Sequence, residues 1–471
     1  MEVDTNRKHM NSTHTDVIII GAGLSGLTCG YLLQKQGRDV LLLEKAPRFG
    51  GAIRSTRDGE WLIEAGPNST LETTPLLTEL IRDAGVEEQK LYASDASKSR
   101  YILRGGKLIP LPMTPPAFFA TKLFSWGAKL GLFREPFIKA STPDMVESVG
   151  DFVRRRLGQE FLDYAINPFV AGVYAGDPDL LNVRAAFPKL YALEQKYGSL
   201  IKGQIKGARE RKQSAEENKQ TARMFSFLDG MQTLTDALAT AIPRKLHSAD
   251  VRTVSHYPES EQARFAVSIM HDGEEKKFTA RELIIATPAA AAGALSKEFA
   301  PELESTLQEI PYPPVAEVIT GFRRREGMHP FDGFGFLIPK VEQRRILGTI
   351  FSSTIFRKRG PQNAVHLTTF IGGMRQPMEA LKSDDEIAQT ALAEQHDLLG
   401  TPKDPDFIHV TSWKHAIPQY VHGHLERMQL VDEVEARIPG LHYCANYRGG
   451  ISVGDCVKSA HSVIDRMIAA G

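Results

Sequence analysis

Apolar residues recur along the chain with two different periods, and the places where the period changes mark the elements. Val17-Ile18-Ile19-Ile20 is a short, unbroken, largely β-branched run, the pattern of a parallel strand buried on both faces. Residues 27–33 then carry a helical repeat, and residues 39–43 return to a second short strand. Residues 74–84 predict an amphipathic helix, and 100–103 with 107–110 a hairpin turning at Gly105-Gly106. Beyond Pro112 the pattern loosens: Phe118, Phe119, Leu123, Phe124, Trp126, Leu130, Leu132, Phe133, Phe137 and Ile138 are interleaved with Lys122, Lys129, Arg134 and Lys139. Such a stretch suits a surface that dips into a lipid interface with cations at the headgroups, or a helical lid packed on its own core. Residues 146–157 and 160–165 read as helices. Residues 167–178, with small residues, two glycines and flanking prolines, read as a close-packed bend.

In the second half, residues 233–241 predict a helix, after which 250–254, 265–270 and 282–288 predict strands that meander back into the first sheet. Four β-rich runs, 315–322, 335–338, 346–351 and 365–371, predict a separate antiparallel sheet. Helices follow over 384–399 and 456–469, with a strand over 441–447 between them. The mixed charge run 209–221 reads as a solvated loop or helix face. The expected fold is α/β, with a Rossmann-like nucleotide-binding domain, an antiparallel-sheet substrate domain and a helical, membrane-contacting domain. The first would be discontinuous, over 14–92, 227–296 and 406–471, with the helical domain over 93–226 and the substrate sheet over 297–405.

Composition changes this picture little. Lysine plus arginine equals aspartate plus glutamate at 57 each in 471 residues, so no bulk charge points to nucleic acid. Cys29, Cys444 and Cys456 form no C-x-x-C, which argues against structural disulfides and a zinc site and fits a reducing compartment. His422 and His424 read as surface histidines, not metal ligands. Residues 1–13 are polar, with neither a signal-peptide core nor transit-peptide bias, and no stretch reaches the ~18–20 apolar residues of a spanning helix. The expected location is cytoplasmic, peripheral on a membrane.

The chemistry begins at Gly21-Ala22-Gly23-Leu24-Ser25-Gly26, between the first strand and first helix. One glycine makes the tight turn, the second lets backbone approach a pyrophosphate, and the third lets helix and strand pack closely. Glu44 ends the second strand, eighteen residues after Gly26, where a carboxylate accepts ribose hydroxyls. Arg48-Phe49-Gly50-Gly51 is a second glycine turn and resembles the one beside the flavin diphosphate in the FAD-dependent amine oxidase superfamily. Arg448-Gly449-Gly450-Ile451-Ser452-Val453 opens the last helix in a similar way.

These and longer stretches, among them RFGGAIRS at 48–55, NPFVAGVYAGDP at 167–178, ALEQKYGSLIKG at 192–203, FLDGMQTL at 227–234, AIPQY at 416–420 and GISVGDCVKSA at 450–460, resemble the oxygen-dependent protoporphyrinogen oxidases. The likeness is nearest to their plant and cyanobacterial branch. It implies FAD contacts at Gly21, Gly23, Leu24, Ser25, Gly26, Glu44, Lys45, Arg48, Gly66, Pro67, Asn68, Val251, Trp413, Ile451, Ser452 and Val453, with FAD held non-covalently because Cys444 lacks the attachment motif of covalent relatives. It places a propionate-binding arginine at Arg100, a glycine that leaves room for the macrocycle at Gly172, and apolar walls at Phe334, Leu337, Ile350 and Phe370. The family oxidises a porphyrinogen by six electrons in three rounds of hydride transfer to the flavin N5. Oxygen reoxidises the flavin and yields hydrogen peroxide. A cation left on the bridging carbon is spread over neighbouring pyrroles, so no strong base is needed and no catalytic side chain is assigned. Coproporphyrinogen III is the rival substrate, amine oxidation or carotenoid desaturation the rival chemistry, and a non-catalytic flavoprotein scaffold the rival class. The partners implied are the porphyrinogen, O2, a haem-pathway enzyme such as ferrochelatase, a membrane surface and a second copy of the chain.

Overall fold

Val17–Ile20 forms its strand, within His14–Ile20, in the computed structural model, which describes residues 13–142, 145–211 and 222–470. Residues 1–12 and residues 212–221, most of the charge run 209–221, lie outside the described residues. Ile18 and Ile20 pack into one core, Val17 and Ile19 into the other, so both faces of the strand are covered as its composition requires. His14–Ile20 pairs in parallel with Val40–Leu43 on one side and Glu274–Ile285 on the other. Arg244–Leu246 and Leu441–Tyr443 extend the parallel part, and Phe265–His271 and Asp250–His256 add antiparallel strands. The expected meander does return into this sheet, because the long strand Glu274–Ile285 serves both halves. Its first residues pair with Phe265–His271, and its last apolar residues pair with the first strand.

The second sheet runs Phe407–Trp413, Val315–Arg323, Ala364–Gly372, Gly348–Ile350, Gly335–Leu337, Arg100–Arg104, Lys107–Pro110. It is larger than the four runs that predict it, recruiting the hairpin at 100–110 and the strand ending at Trp413. Its one parallel junction joins Gly335–Leu337 to Arg100–Arg104. Helix Asp384–Leu399, started by the Ser383/Glu386 capping box, covers one face by packing on Ala316, Val318 and Phe322. Alternation along the strand then turns Val315 and Glu317 to the other face, toward the first lobe. Trp61 fastens the lobes: its ring lies where a Cβ on Gly321 or Gly360 would come within 2.3 or 2.5 Å, and it stacks on Phe407 at 5.3 Å.

Three sequence expectations need correction. Residues 167–178 are not an irregular bend: Asn167–Tyr174 is α-helix, entered through a π-helical turn at Leu162–Ile166. Pro168 is tolerated because it stands in the first turn, and the small residues serve close packing within a helix. Lys129 is not a headgroup cation, since its ammonium is buried and donates to the carbonyls of Phe119 and Thr121. The last helix starts at Val453 and not Cys456, so the predicted loop residue Val453 is already helical.

The helical lobe is organised by charge. Arg156, fully buried, pairs with Glu135 at 3.1 Å and with Glu194, and donates to the Gly198 carbonyl. Arg155 joins Glu194 to Glu147, and Ser199 donates to Glu135. The LEQKYGSL stretch thus supplies both acceptors, Glu194 and Gly198 O, and donors, Ser199 and the Leu200 N–H, to a buried ion cluster. Arg156→Met would leave the buried Glu135 carboxylate without its cation, while Glu194 keeps Arg155, and should cost about 3–5 kcal/mol of stability, the range for removing one partner of a buried pair. A urea denaturation midpoint unchanged from the parent would refute this.

Candidate active site

The first strand and its parallel neighbours end level, and the glycine turn follows at their carboxyl edge. Gly21 N–H donates to Leu43 O at 2.8 Å, and its φ of +102° is left-handed; a Cβ there would lie 2.7 Å from Ala286 O. Gly26 is equally constrained, since a Cβ would fall 1.9 Å from Gly21 O. Gly23 is not: the nearest atom to a Cβ is 3.9 Å away, so packing within the chain does not explain a glycine there, whereas close approach of a pyrophosphate does. No side chain caps the helix Leu24–Lys35 that follows, which leaves its first-turn N–H groups to an anion.

The second glycine turn lies against the first, with a Cβ on Gly51 2.8 Å from Gly23 Cα. Arg48 shapes it by donating to the carbonyls of Phe49, Ile53 and Gly51. Glu44 accepts the N–H of Ala22 at 2.7 Å and of Ala46 at 2.8 Å, and a carboxylate with two oxygens keeps lone pairs for ribose hydroxyls. Lys45 is exposed and pairs at 3.2 Å with Asp250, which brings the neighbouring Val251 to this end. Gly66 N–H donates to Glu317 at 2.9 Å, and the Asn68 amide donates to Gly66 O. The C-terminal loop is held by Tyr420, whose hydroxyl donates to Asn446 O and accepts Gly450 N–H at 3.0 Å. Ser452 Oγ accepts the Asp455 N–H at 3.2 Å and so caps the last helix, while its hydroxyl donates to the Asp455 carboxylate. Val453 joins Leu24 in the core under the first glycine turn, and Ile451 faces the helical lobe.

The residues predicted for the macrocycle fall into two adjoining groups. A Cβ on Gly172 would meet Leu337 Cδ2 at 2.5 Å, and Phe370 packs with Ala171, Ala175, Val315 and Leu347 beside them. Phe334 and Ile350 line a recess shared with Asn68, Glu64, Arg359 and His366. Arg100 lies over the Phe334 ring, 5.4 Å from its centroid, exposed and paired with no carboxylate among the described residues. An apolar wall with a free guanidinium at its rim suits a flat hydrophobic ligand carrying a carboxylate.

Sequence reasoning missed the buried polar groups between these parts. Burial raises Glu64 to about 7 against the pull of Arg359 and a hydrogen bond from Ser55. Burial also raises Glu317 to about 8 and lowers His366 to about 4. The available signal was a charged residue inside the apolar run 315–322. His424, read as a surface histidine, is buried and stacked on Tyr420 at 4.1 Å between ring centroids, where burial lowers it to about 4. No cluster of metal-ligating groups occurs among the described residues. Cys444 is buried, as are Cys29 and Cys456.

The sequence profile of the family described as flavin containing amine oxidoreductase matches residues 24–468. The chain belongs to this family. Among curated relatives of this chain, the mitochondrial protoporphyrinogen oxidase of Nicotiana tabacum is 34% identical, with 98% of this chain and 96% of the tobacco protein covered. The coproporphyrinogen III oxidase of Bacillus subtilis (strain 168) is 26% identical, over 97% of this chain and 98% of its own. A crystal structure of an Exiguobacterium sp. 255-15 protein shares the fold with a TM-score of 0.80 at 24% identity, covering 97% of this chain and 99% of the other. The protein is therefore a flavin-dependent oxidoreductase. The open space above Gly23, the uncapped helix and the buried, unpartnered Glu317 Oε2 and Trp413 Nε1 fit such a cofactor. Gly26→Ala should abolish flavin retention, because the added methyl would overlap the Gly21 carbonyl. Purified protein that keeps its full yellow absorbance would contradict that.

Proposed function

We propose that this flavin-dependent enzyme oxidises protoporphyrinogen IX to protoporphyrin IX, using non-covalently bound FAD and molecular oxygen, with hydrogen peroxide as co-product. The observation that carries the reading is Arg100 over the Phe334 ring, at the rim of a wall formed by Gly172, Leu337, Ile350 and Phe370. FAD, when bound, supplies the hydride acceptor and passes the electrons to oxygen. The chain's residues do the rest. The two glycine turns and Glu44 hold the nucleotide, residues 66–68, Trp413 and 450–453 hold the ring, and the apolar wall excludes water from a reduced macrocycle. Arg100 fixes one carboxylate, and so orients the macrocycle in its slot. Cys444 lies buried beside Cys29, consistent with a cofactor that is bound and not linked.

Protoporphyrinogen IX is favoured over coproporphyrinogen III because the tobacco relative is more similar than the Bacillus one, and because Arg100 by itself answers fewer carboxylates than the four of coproporphyrinogen. Side-by-side turnover of both substrates, followed by porphyrin fluorescence, decides between them; faster oxidation of coproporphyrinogen III would overturn the assignment. Arg100→Ala should raise KM by roughly 10–100-fold, the worth of a charge-assisted hydrogen bond, with flavin content unchanged. Loss of FAD in that variant would show that Arg100 belongs to the cofactor site.

The reading extends to a membrane surface. Trp126, Leu130, Phe133 and Phe137 recur at helical spacing and are 64, 59, 65 and 88% exposed, with Lys122, Arg134 and Lys139 exposed among them. No helix among the described residues is long and apolar enough to cross a membrane, so contact through this stripe would be peripheral. Co-sedimentation with anionic vesicles that survives Trp126→Ala/Phe137→Ala would count against the stripe as the contact.

A further inference from the structure

Val315–Arg323 is buried along nearly its whole length, and Glu317 is the charged residue in its interior. A carboxyl group in such a strand needs a reason. Glu317 is 4% exposed; Oε1 accepts the N–H of Gly66 at 2.9 Å, and Oε2 has no hydrogen-bond partner. Three of its neighbours are residues assigned above to the site. Gly66 is its hydrogen-bond donor. Phe370 stands directly opposite it on the adjacent strand, and so shares its face of the sheet. Trp413 pairs with Val315, two residues away on the same face, and its indole N–H lies near the carboxyl without closing a normal hydrogen bond.

We propose that Glu317 is a positioning residue for the flavin: one carboxyl oxygen accepts Gly66 N–H and so holds the 66–68 segment, and the other donates its O–H to the bound cofactor. The inference rests on the reading of residues 66–68 and Trp413 as flavin contacts. An acceptor for Gly66 alone could be an amide; what the carboxyl adds is a proton that can leave. The neighbouring elements set when it leaves. From the strand Trp61–Ala65 it faces Glu64, which opposes ionisation, and from Arg54–Asp58 it faces Arg54, which favours it. Phe407–Trp413 contributes His409, opposite Ile319, where burial lowers its affinity for a proton. Burial dominates and places Glu317 at about 8. FAD brings two negative phosphates and further loss of water, so binding raises that value again. By linkage, FAD then prefers the protonated enzyme, and affinity falls as pH rises through the value of the free enzyme.

The test is release of FAD from diluted holoenzyme, read by flavin fluorescence between pH 6.5 and 9, for the parent, Glu317→Gln and Glu317→Ala. The expected result is a dissociation constant that rises about threefold or more in the parent, since a proton held roughly tenfold more tightly in the complex leaves affinity up to tenfold weaker once it is lost. Glu317→Gln should remove the rise while keeping the affinity seen at low pH, and Glu317→Ala should bind weakly at every pH because Gly66 N–H loses its acceptor. Glu64 titrates nearby, so Glu64→Gln is the companion variant: it should move the rise to lower pH without removing it, and it carries the test should Glu317→Gln fail to fold. A flat profile in the parent, or the same rise in Glu317→Gln, overturns the proposal while leaving the flavin reading intact. A parent that holds no FAD at any pH overturns that reading itself.

Discussion

The carbonyl of Leu43 accepts the N–H of Gly21, and the carbonyl of Ile20 accepts that of Ala286. These two bonds make three parallel strands end in step, and most of the site is a consequence. The chain can leave the sheet edge only by a tight turn, the turn demands a positive φ, and the following helix must start so close to the sheet that Gly26 has no room for a methyl group. Once the helix is that close, its uncapped N-terminus points along the sheet edge, and the second glycine turn can settle against Gly23. A one-residue slip in the first strand would exchange the residues of its two cores, so register is fixed by apolar packing on both faces at once.

The second lobe is brought to this edge by a large aromatic ring and by a buried ion pair, Arg359 with Glu64 at 3.6 Å. Trp61 occupies the space that Gly321 and Gly360 leave, and the hairpin that carries it runs directly into Glu64 and Gly66. The site is therefore assembled from one lobe's turns and the other's sheet face, with buried carboxyls at the seam. Burying Glu64 and Glu317 costs stability, and the cost is limited by keeping them hydrogen-bonded and by raising their affinity for protons. Polar groups of this kind lie where a lobe-to-lobe interface also serves a ligand.

What could be read from the sequence followed from local chemistry. The run 17–20, the glycine spacing and Glu44 each carry their meaning within a few residues, and the structure has the strand–turn–helix–strand order they imply. The second sheet was harder. Arg100–Arg104 and Phe407–Trp413 lie far in sequence from the four runs they join, and nothing local in a strand names its partner. The helix Asn167–Tyr174 reads as a bend when proline and glycine are weighed only as breakers; position decides, and Pro168 stands in the first turn while Gly172 faces Leu337. Lys129 shows the same limit, since its neighbours in sequence look like a surface while its ammonium is satisfied by two carbonyls inside. Glu317 was visible as an anomaly in a buried run, but its meaning depends on Gly66, 251 residues earlier in the chain.

The helical lobe poses a different physical problem. Its outer stripe exposes Trp126, Leu130, Phe133 and Phe137, so the contrast between inside and outside that directs most folding is weakened there. Directional interactions can supply what hydrophobicity does not. Arg156 reaches Glu135, Glu194 and the carbonyls of Ile138 and Gly198, and that set of acceptors exists only when three separate segments meet in one arrangement. A cluster of this sort adds little net stability over a well-packed apolar replacement, yet it penalises every arrangement that leaves a charge unpaired. In a lobe that exposes Trp126 and Phe137, this penalty favours the one arrangement in which those aromatic residues stay outward.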